Sequence, residues 1–395
     1  MKEIESLIDQ WLERIQDRLT ETEYKWFSSI GETLKKFYDT ENISAFSLEY
    51  REIINKDIRE LKRLLNTTHA ANINDIKKMF ESVVATAYTD AQEKAELKGQ
   101  GLSSKAIYYK MVTPLLRRTM RDYTIMAKST TTDRIYKNTM RKMVNKMTID
   151  PERSNYHETM RAAVTELQQA GISYVHYDNG KNPYVRRLDS SVRNSLSGEM
   201  NQIVQNINNK LAQEIQAEHF EISVEMASAP DHEGVQGKIF EASEFEKLQS
   251  GQEAKDIDGD IHLLEKRAIG QYNCRHQYFA FILGVSEPSY SQKELAAIEQ
   301  RNHAGIEIDG EKMSLYTATQ KQRANETEQR RERGKLEIIR QVSKGDPAFR
   351  QDMRESQERI KELRTDYSRL GEALEPYGIR MKTERAYNIN ARAFR

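Results

Sequence analysis

The side chains best suited to chemistry are one cysteine and two histidines, carried by two separate segments of the chain. Cys274 is the only cysteine, His276 lies two positions after it, and His232 lies in the upstream segment. Thiolate and imidazole are typical zinc ligands, so these three residues could form most of a zinc site. A structural zinc site takes four ligands, and no second cysteine or paired motif supplies the fourth. The nearby residues that could complete the set are Asp231, Asp260 and His262.

Two other interpretations compete with zinc for the same three residues. A catalytic cysteine–histidine pair needs an activated thiolate, and the neighbouring Arg275 could lower the pKa of Cys274. No loop that could stabilise an oxyanion is recognisable beside that pair. In the third interpretation the polar side chains tie two loops together by hydrogen bonds, while Cys274 serves as a small buried hydrophobe. We favour this structural role and expect no catalytic residue, no cofactor and no bound metal.

Two loops and the strands beside them must position these residues. Residues 220–226 alternate strictly between apolar and polar, which predicts a half-buried β-strand. A polar loop to Phe240 follows it, and an aromatic run over 277–285 follows the second segment. Functional side chains are concentrated in loops on a rigid scaffold. The predicted motif consists of Ser228, Asp231, His232, Gln236, Gly237 and Lys238 in the first loop and of Asn273, Cys274, Arg275 and His276 in the second.

The composition limits the class of protein. At 395 residues the chain has the length of two or three domains. Lys plus Arg and Asp plus Glu both number 61, so a net charge of zero gives no long-range attraction to nucleic acid. A single cysteine excludes an internal disulfide framework and fits synthesis in a reducing cytoplasm. No apolar run approaches the roughly 18 residues of a membrane span, and the first residues do not resemble a signal peptide.

The first 150 residues have the pattern of an all-α region. Apolar residues recur at spacings of three and four, which is typical of helices with one buried face. The predicted helical stretches are 4–19, 26–37, 47–66, 72–97, 104–126 with a bend at Pro114, and a further helix from about Arg134. We interpret residues 1–150 as a docking domain whose spare apolar faces meet another protein. The alternative is a stand-alone helical bundle.

Residues 151–290 have a mixed pattern. A helix is expected from Pro151 to Ala170, where Gly171 can end it. Residues 172–177 predict a strand, and residues 178–180 predict the turn of a hairpin. A long helix from about Val185 to Glu218 then leads into the predicted strand at 220–226. The pattern therefore predicts a small α+β domain with a short sheet.

Residues 291–395 are rich in charges of both signs. A helix is expected from Glu294, and the stretches 316–340 and 352–370 predict solvated helices with ion pairs four residues apart. We interpret them as a solvent-facing hairpin of helices, in preference to a surface that binds nucleic acid. Residues 383–395 lack periodicity, and we expect a partner to order them. The whole chain is thus predicted to be α+β and predominantly α, with domains over 1–150, 151–290 and 291–395.

The motif residues resemble a known family. Residues 224–240 and 270–290, with Asp231-His232, Gln236-Gly237-Lys238 and Asn273-Cys274-Arg275-His276, are similar to the phage minor capsid protein 2 family. That family is related to the Mu-type head morphogenesis proteins of tailed phages. A weaker similarity lies at 176–187, and the likeness covers about 170–345. The chain departs from the family pattern at Ala229-Pro230-Asp231 and at Val235.

The resemblance implies a minor capsid protein of a tailed phage that infects Gram-positive bacteria. Such a protein would be made in the host cytoplasm and placed in few copies in the capsid interior near the portal. Its expected partner is the oligomeric portal ring, with other capsid or scaffolding proteins and packaged DNA as further partners and no membrane. Its expected role is in head assembly or DNA ejection, without enzymatic activity.

Two alternatives belong to other classes. An ADP-ribosyltransferase-like effector injected with the DNA would need a catalytic glutamate, for which Glu244 and Glu246 are candidates, and its other motif elements are missing. A DNA-binding ejection protein would need a basic stripe, which the interleaved charges disfavour.

Overall fold

The computed structural model describes residues 2–38, 43–149, 156–178, 182–264, 266–270, 274, 276–343, 346–383 and 386. These residues form a predominantly α-helical fold with a few small sheets, which confirms the predicted fold class. The helices are α1 (Lys2–Tyr38), α2 (Ile43–Leu97), α3 (Lys105–Lys128), α4 (Thr132–Ile149), α5 (Tyr156–Ala170), α6 (Leu188–Glu214), α7 (Ala242–Gln249), α8 (Gln292–Ala304), α9 (Leu315–Ser343) and α10 (Arg350–Leu374).

Two pairs of predicted helices are each one long helix. α1 runs through the polar stretch at 20–22, and α2 runs through the polar stretch between 66 and 72. In α1 the hydroxyl groups of Thr20 and Thr22 donate to the carbonyls of Gln16 and Arg18, 3.0 and 2.7 Å away. Threonine at these positions is therefore accommodated by bonds to the preceding turn, and the helix continues.

A single large core connects the helices. Buried apolar side chains of α1 to α6 and of α9 form one contiguous cluster that extends from Ile4 to Phe349. The apolar faces of α1 and α2 are thus filled from within the chain. Residues of all three predicted domains contribute to this cluster, and the boundaries at 150 and 290 stay a prediction. Within the described part of the chain, none of the helices combines the length and apolar character needed to cross a membrane.

The prediction that the 316–340 stretch is a solvated helix is wrong. α9 packs against α1, α5 and α10, and much of its length is buried. Several of its polar side chains have partners inside the protein: the Asn325 amide donates to the Leu363 carbonyl at 3.0 Å, and the Glu337 carboxylate accepts from the Tyr24 hydroxyl at 2.8 Å. Charge content therefore misled the prediction, because paired polar groups can occupy a core position.

A buried ion network connects α9 to the middle of the chain. Glu23 of α1 pairs with Arg187, whose guanidinium Nε lies 3.4 Å from an Asp189 oxygen. Arg330 of α9 approaches the other Asp189 oxygen, also at 3.4 Å, and the four side chains are almost fully buried. Burial alone would raise the pKa of Asp189, but the two guanidinium groups outweigh burial and hold that pKa below its usual value. The network joins three helices through buried charges that compensate one another.

The β structure consists of small antiparallel sheets. β1 (Ser173–Asp178) and β2 (Asn182–Arg187) form a hairpin, so the helix expected from Val185 begins only at Leu188. The turn expected at 178–180 and the helix start expected at Pro151 lie largely outside the described residues. The other two-stranded sheets pair β5 (Ala254–Lys255) with β6 (Ile261–His262), and β8 (Ile306–Ile308) with β9 (Glu311–Met313).

The three-stranded sheet lies next to the predicted motif. Its order is β4 (Ile239–Glu241), β3 (His219–Ile222) and β7 (Tyr278–Phe281), and Phe220 of β3 faces Phe240 and Ala280. β3 is shorter than the predicted strand at 220–226. Beyond Ile222 the backbone N–H of Glu225 donates to the Gln236 side chain at 2.6 Å, in place of a neighbouring strand. The strand therefore ends where the motif begins.

Candidate functional site

The loop after β3 and the segment before β7 bring three potential ligands together. His232 precedes a 3₁₀ turn at Glu233–Val235, whereas Cys274 and His276 lie just before β7. The three side chains are 1, 3 and 3% exposed, respectively. Their ligand atoms all lie within 4.8 Å of one another. The structure thus brings together the three residues that the sequence singled out.

The distances within the cluster are short. The Sγ atom of Cys274 lies 3.2 Å from Nδ1 of His232 and 3.4 Å from Nδ1 of His276. The two imidazole rings are 5.4 Å apart and meet edge to face. Both histidines therefore direct the same nitrogen, Nδ1, at one sulfur atom.

The outer nitrogens of both rings are hydrogen-bond donors. Nε2 of His232 lies 2.9 Å from the backbone carbonyl of Arg267, which can only accept. Nε2 of His276 lies 3.0 Å from Oε1 of Gln236, the atom that already accepts the N–H of Glu225. Each Nε2 must therefore carry a hydrogen, which leaves Nδ1 of each neutral ring as an acceptor.

The site favours neutral side chains. Burial, together with the nearby His232, lowers the pKa of His276 to about 3, and burial also lowers the pKa of His232. Burial raises the pKa of the Cys274 thiol, which is opposite to the shift that activates a catalytic cysteine. The geometry offers no activated nucleophile at this site.

Surrounding residues hold the two segments in place. Asp231 accepts two bonds from the Arg267 guanidinium, at 2.9 and 3.2 Å, and this ion pair fixes the carbonyl that binds His232. From α6, Asn201 donates to the Cys274 carbonyl at 3.3 Å and Asn208 donates to the Tyr278 carbonyl at 3.0 Å. Sequence reasoning missed Arg267, Asn201 and Asn208. The one signal was the spacing of the two asparagines, which places both on the buried face of α6.

Gly237 of the predicted motif lies where the chain turns closely past α8. Its φ is +67°, and an added Cβ would lie 2.3 Å from a methyl carbon of Leu295. Glycine tolerates this left-handed conformation and close approach.

Other predicted motif residues lie apart from the cluster. Lys238 pairs with Asp256 at 3.2 Å and Asp260 at 3.5 Å, and His262 also contacts Asp256, at 3.0 Å. Asp260 and His262 therefore belong to a second polar group and do not complete a metal site with Cys274. Ser228 donates only to the adjacent Ala229 carbonyl, at 3.3 Å, among its described contacts. Asn273 and Arg275 lie outside the described residues.

The residues proposed for a transferase have ordinary structural contacts. Glu244, at the start of α7, accepts from Lys247 Nζ at 2.5 Å and from the Lys255 backbone N–H at 2.8 Å. Glu246 is exposed on the same helix. Neither residue faces the histidine–cysteine cluster through a described contact.

A predominantly helical protein with small sheets and a buried histidine–cysteine cluster fits a structural protein class. The chain belongs to the phage minor capsid protein 2 family, whose family model matches residues 10–367. The match extends well beyond the 170–345 region in which the motifs suggested the resemblance. Comparison with curated proteins and with solved structures gave no significant match. The chain is accordingly a phage structural protein and a component of the virion.

Proposed function

We propose that this protein docks on the portal inside the procapsid and acts there in head assembly or DNA ejection. The observation that carries the proposal is membership in the minor capsid family over residues 10–367. A structural role is also supported by the buried cluster, which ties two segments together and presents no activated nucleophile. Residues 1–150 provide the docking surface in this proposal.

The structure restricts where that docking surface can lie. The apolar faces of α1 and α2 pack into the core, so they are not free for a partner. The outward side of α3 is different, because its exposed residues recur at spacings of three and four along the helix. They are Ile107, Lys110, Pro114, Arg117, Arg121, Ile125 and Lys128, and we call this surface the α3 stripe.

The α3 stripe combines positive charge with exposed apolar side chains. Ile107 and Ile125 are 49 and 51% exposed. The helix contains six basic residues, and Asp122 is its only acidic residue. A surface of this kind fits an acidic protein surface with apolar contacts, since the charges steer association and the isoleucines gain from burial. An acidic patch on the portal ring is therefore the partner we propose.

Binding of the full-length protein to the purified portal ring tests the proposal. Removal of residues 1–150 is unsuitable, because α1 and α2 share the core with α6 and α9. We expect the double variant Ile107→Ser/Ile125→Ser to bind at least about tenfold more weakly, a loss of roughly 1.4 kcal/mol. The matched control, Ile261→Ser/Leu263→Ser, changes two exposed apolar residues of the central region and keeps wild-type affinity. Loss of binding in the control alone would place the contact in the central region and contradict the proposal.

The basic α3 stripe also favours a second candidate, contact with packaged DNA. Arginine and lysine on one helix face neutralise phosphates, and such binding weakens steeply with salt. If DNA is the partner, Arg117→Gln/Arg121→Gln lowers DNA affinity and flattens its salt dependence, while the isoleucine variant leaves both unchanged. If the portal is the partner, the isoleucine variant weakens portal binding and DNA binding is negligible at physiological salt.

A further inference from the structure

We infer that His232, Cys274 and His276 bind a zinc ion through Nδ1, Sγ and Nδ1. In a tetrahedral site with Zn–S of about 2.3 Å and Zn–N of about 2.05 Å, sulfur and nitrogen ligands lie about 3.6 Å apart. The observed separations are 3.2 and 3.4 Å. These two separations are within a few tenths of an ångström of that value. The two Nδ1 atoms, which lie within 4.8 Å of each other, would lie about 3.3 Å apart around the ion.

The hydrogen-bond count favours a cation bound between these three side chains. Both Nδ1 atoms are acceptors, because the Nε2 hydrogens are committed to the Arg267 carbonyl and to Gln236. A thiol has a single hydrogen, so Cys274 can satisfy one of these two nitrogens and leaves the other facing a sulfur lone pair. Burial of an unpaired acceptor is costly. A metal ion bound to both nitrogens and to the thiolate satisfies all three atoms at once.

The surroundings match those of metal-bound histidines and cysteines. Ligating histidines usually donate their second ring nitrogen to a carbonyl or similar acceptor, as both rings do here. The backbone N–H groups of Gly270 and His276 also bond to the Cys274 sulfur and favour its thiolate form. Gly270 makes this approach with φ of +81°, a conformation that favours glycine.

The donor set selects the ion. One sulfur and two imidazole nitrogens suit zinc, whereas magnesium and calcium prefer oxygen ligands. Asp231, one of the two acidic residues adjacent to His232 in sequence, is already paired with Arg267. Three protein ligands leave the fourth position to an oxygen donor such as water. Because the cluster is buried and its ligands come from two segments, the ion would fasten the 232–237 loop to the segment before β7.

Metal content of the full-length protein tests the inference. The protein is produced without a polyhistidine tag, dialysed against a weak chelator and analysed by elemental mass spectrometry. We expect one zinc ion per chain in the wild type, and less than a tenth as much in Cys274→Ser and in His276→Gln. The matched control His262→Gln, which alters the histidine paired with Asp256, retains the ion.

Cobalt(II) binding to the wild-type protein provides a second test, which does not depend on the folding of the variants. Cobalt(II) added to metal-free wild type should give a thiolate-to-cobalt charge-transfer absorption, and added zinc should abolish it. Folded wild-type protein that contains no zinc and shows no such absorption would overturn the inference. Retention of the full zinc content by folded Cys274→Ser would also overturn it.

Discussion

Gly334 of α9 allows a close approach between α9 and the ring of Phe27 in α1. A Cβ added at Gly334 would lie 2.4 Å from Cε2 and 2.7 Å from Cδ2 of that ring. Ordinary carbon contacts are about 3.5–4.0 Å, so the ring or the helix must move by about an ångström. Such overpacking costs about 1–3 kcal/mol, whereas alanine gains about 1 kcal/mol over glycine within a helix. We therefore expect Gly334→Ala to lower the free energy of unfolding by about 1 kcal/mol.

Gly198 provides the matched control for this prediction. It lies within α6, and an added Cβ there would meet no atom within 4 Å. Gly198→Ala should thus show only the gain in helix propensity and be stabilised by about 1 kcal/mol. Urea unfolding followed by far-UV circular dichroism measures both variants, and we expect them to differ by about 2 kcal/mol. Equal stabilisation of the two variants would refute the close packing of α9 on α1. Phe27→Leu should relieve the effect of Gly334→Ala, so the double variant is less destabilised than the sum of the single changes.

Three further predictions concern other parts of the fold. Glu23→Gln and Arg187→Gln each leave one uncompensated charge in the buried network and should cost about 3–5 kcal/mol, while the double variant loses less than the sum in urea unfolding. The pKa of Glu214 is lowered to about 2: burial opposes this shift, but bonds from Ser103, Lys210 and Tyr108 outweigh it. The ionised Glu214 carboxylate stabilises the fold fully above its ordinary pKa of 4.5, and this stabilisation is lost as the pH falls toward about 2. The urea midpoint of the wild type should therefore decline between these two pH values, and Glu214→Gln should decline less. Gly270→Ala places a residue with a Cβ at a backbone φ of +81°. We expect this strain to lower the free energy of unfolding by about 1–3 kcal/mol, seen as a lower midpoint of thermal unfolding.

Apolar periodicity predicted most of the helices, since a face that must be buried leaves a regular pattern in the sequence. The boundaries between helices were less predictable. Polar stretches such as 20–22 predict a break, but α1 continues there because its threonines bond to the preceding turn. Likewise α9 has few apolar residues, and its burial depends on partners distant in sequence. Leu363 and Tyr24, which satisfy its Asn325 and Glu337, could not be identified from the sequence.

The chemical types of His232, Cys274 and His276 were enough to select them as a group. Sequence could not show that both histidines direct Nδ1 at the sulfur, because that orientation is set by Gln236 and by a backbone carbonyl. Every residue has a backbone carbonyl, so an acceptor of this kind leaves no signal in the sequence. The same limitation applied to Lys238, which belongs to the predicted motif but pairs with Asp256 in the structure.

Cross-linking mass spectrometry of purified procapsids tests the central claim, docking of this protein on the portal, most directly. Lys105, Lys110 and Lys128 are exposed on α3 and provide reactive amines along the proposed contact. We expect cross-links from these lysines to peptides of the portal protein. Cross-links from them only to the major capsid protein, with none to the portal, would contradict it.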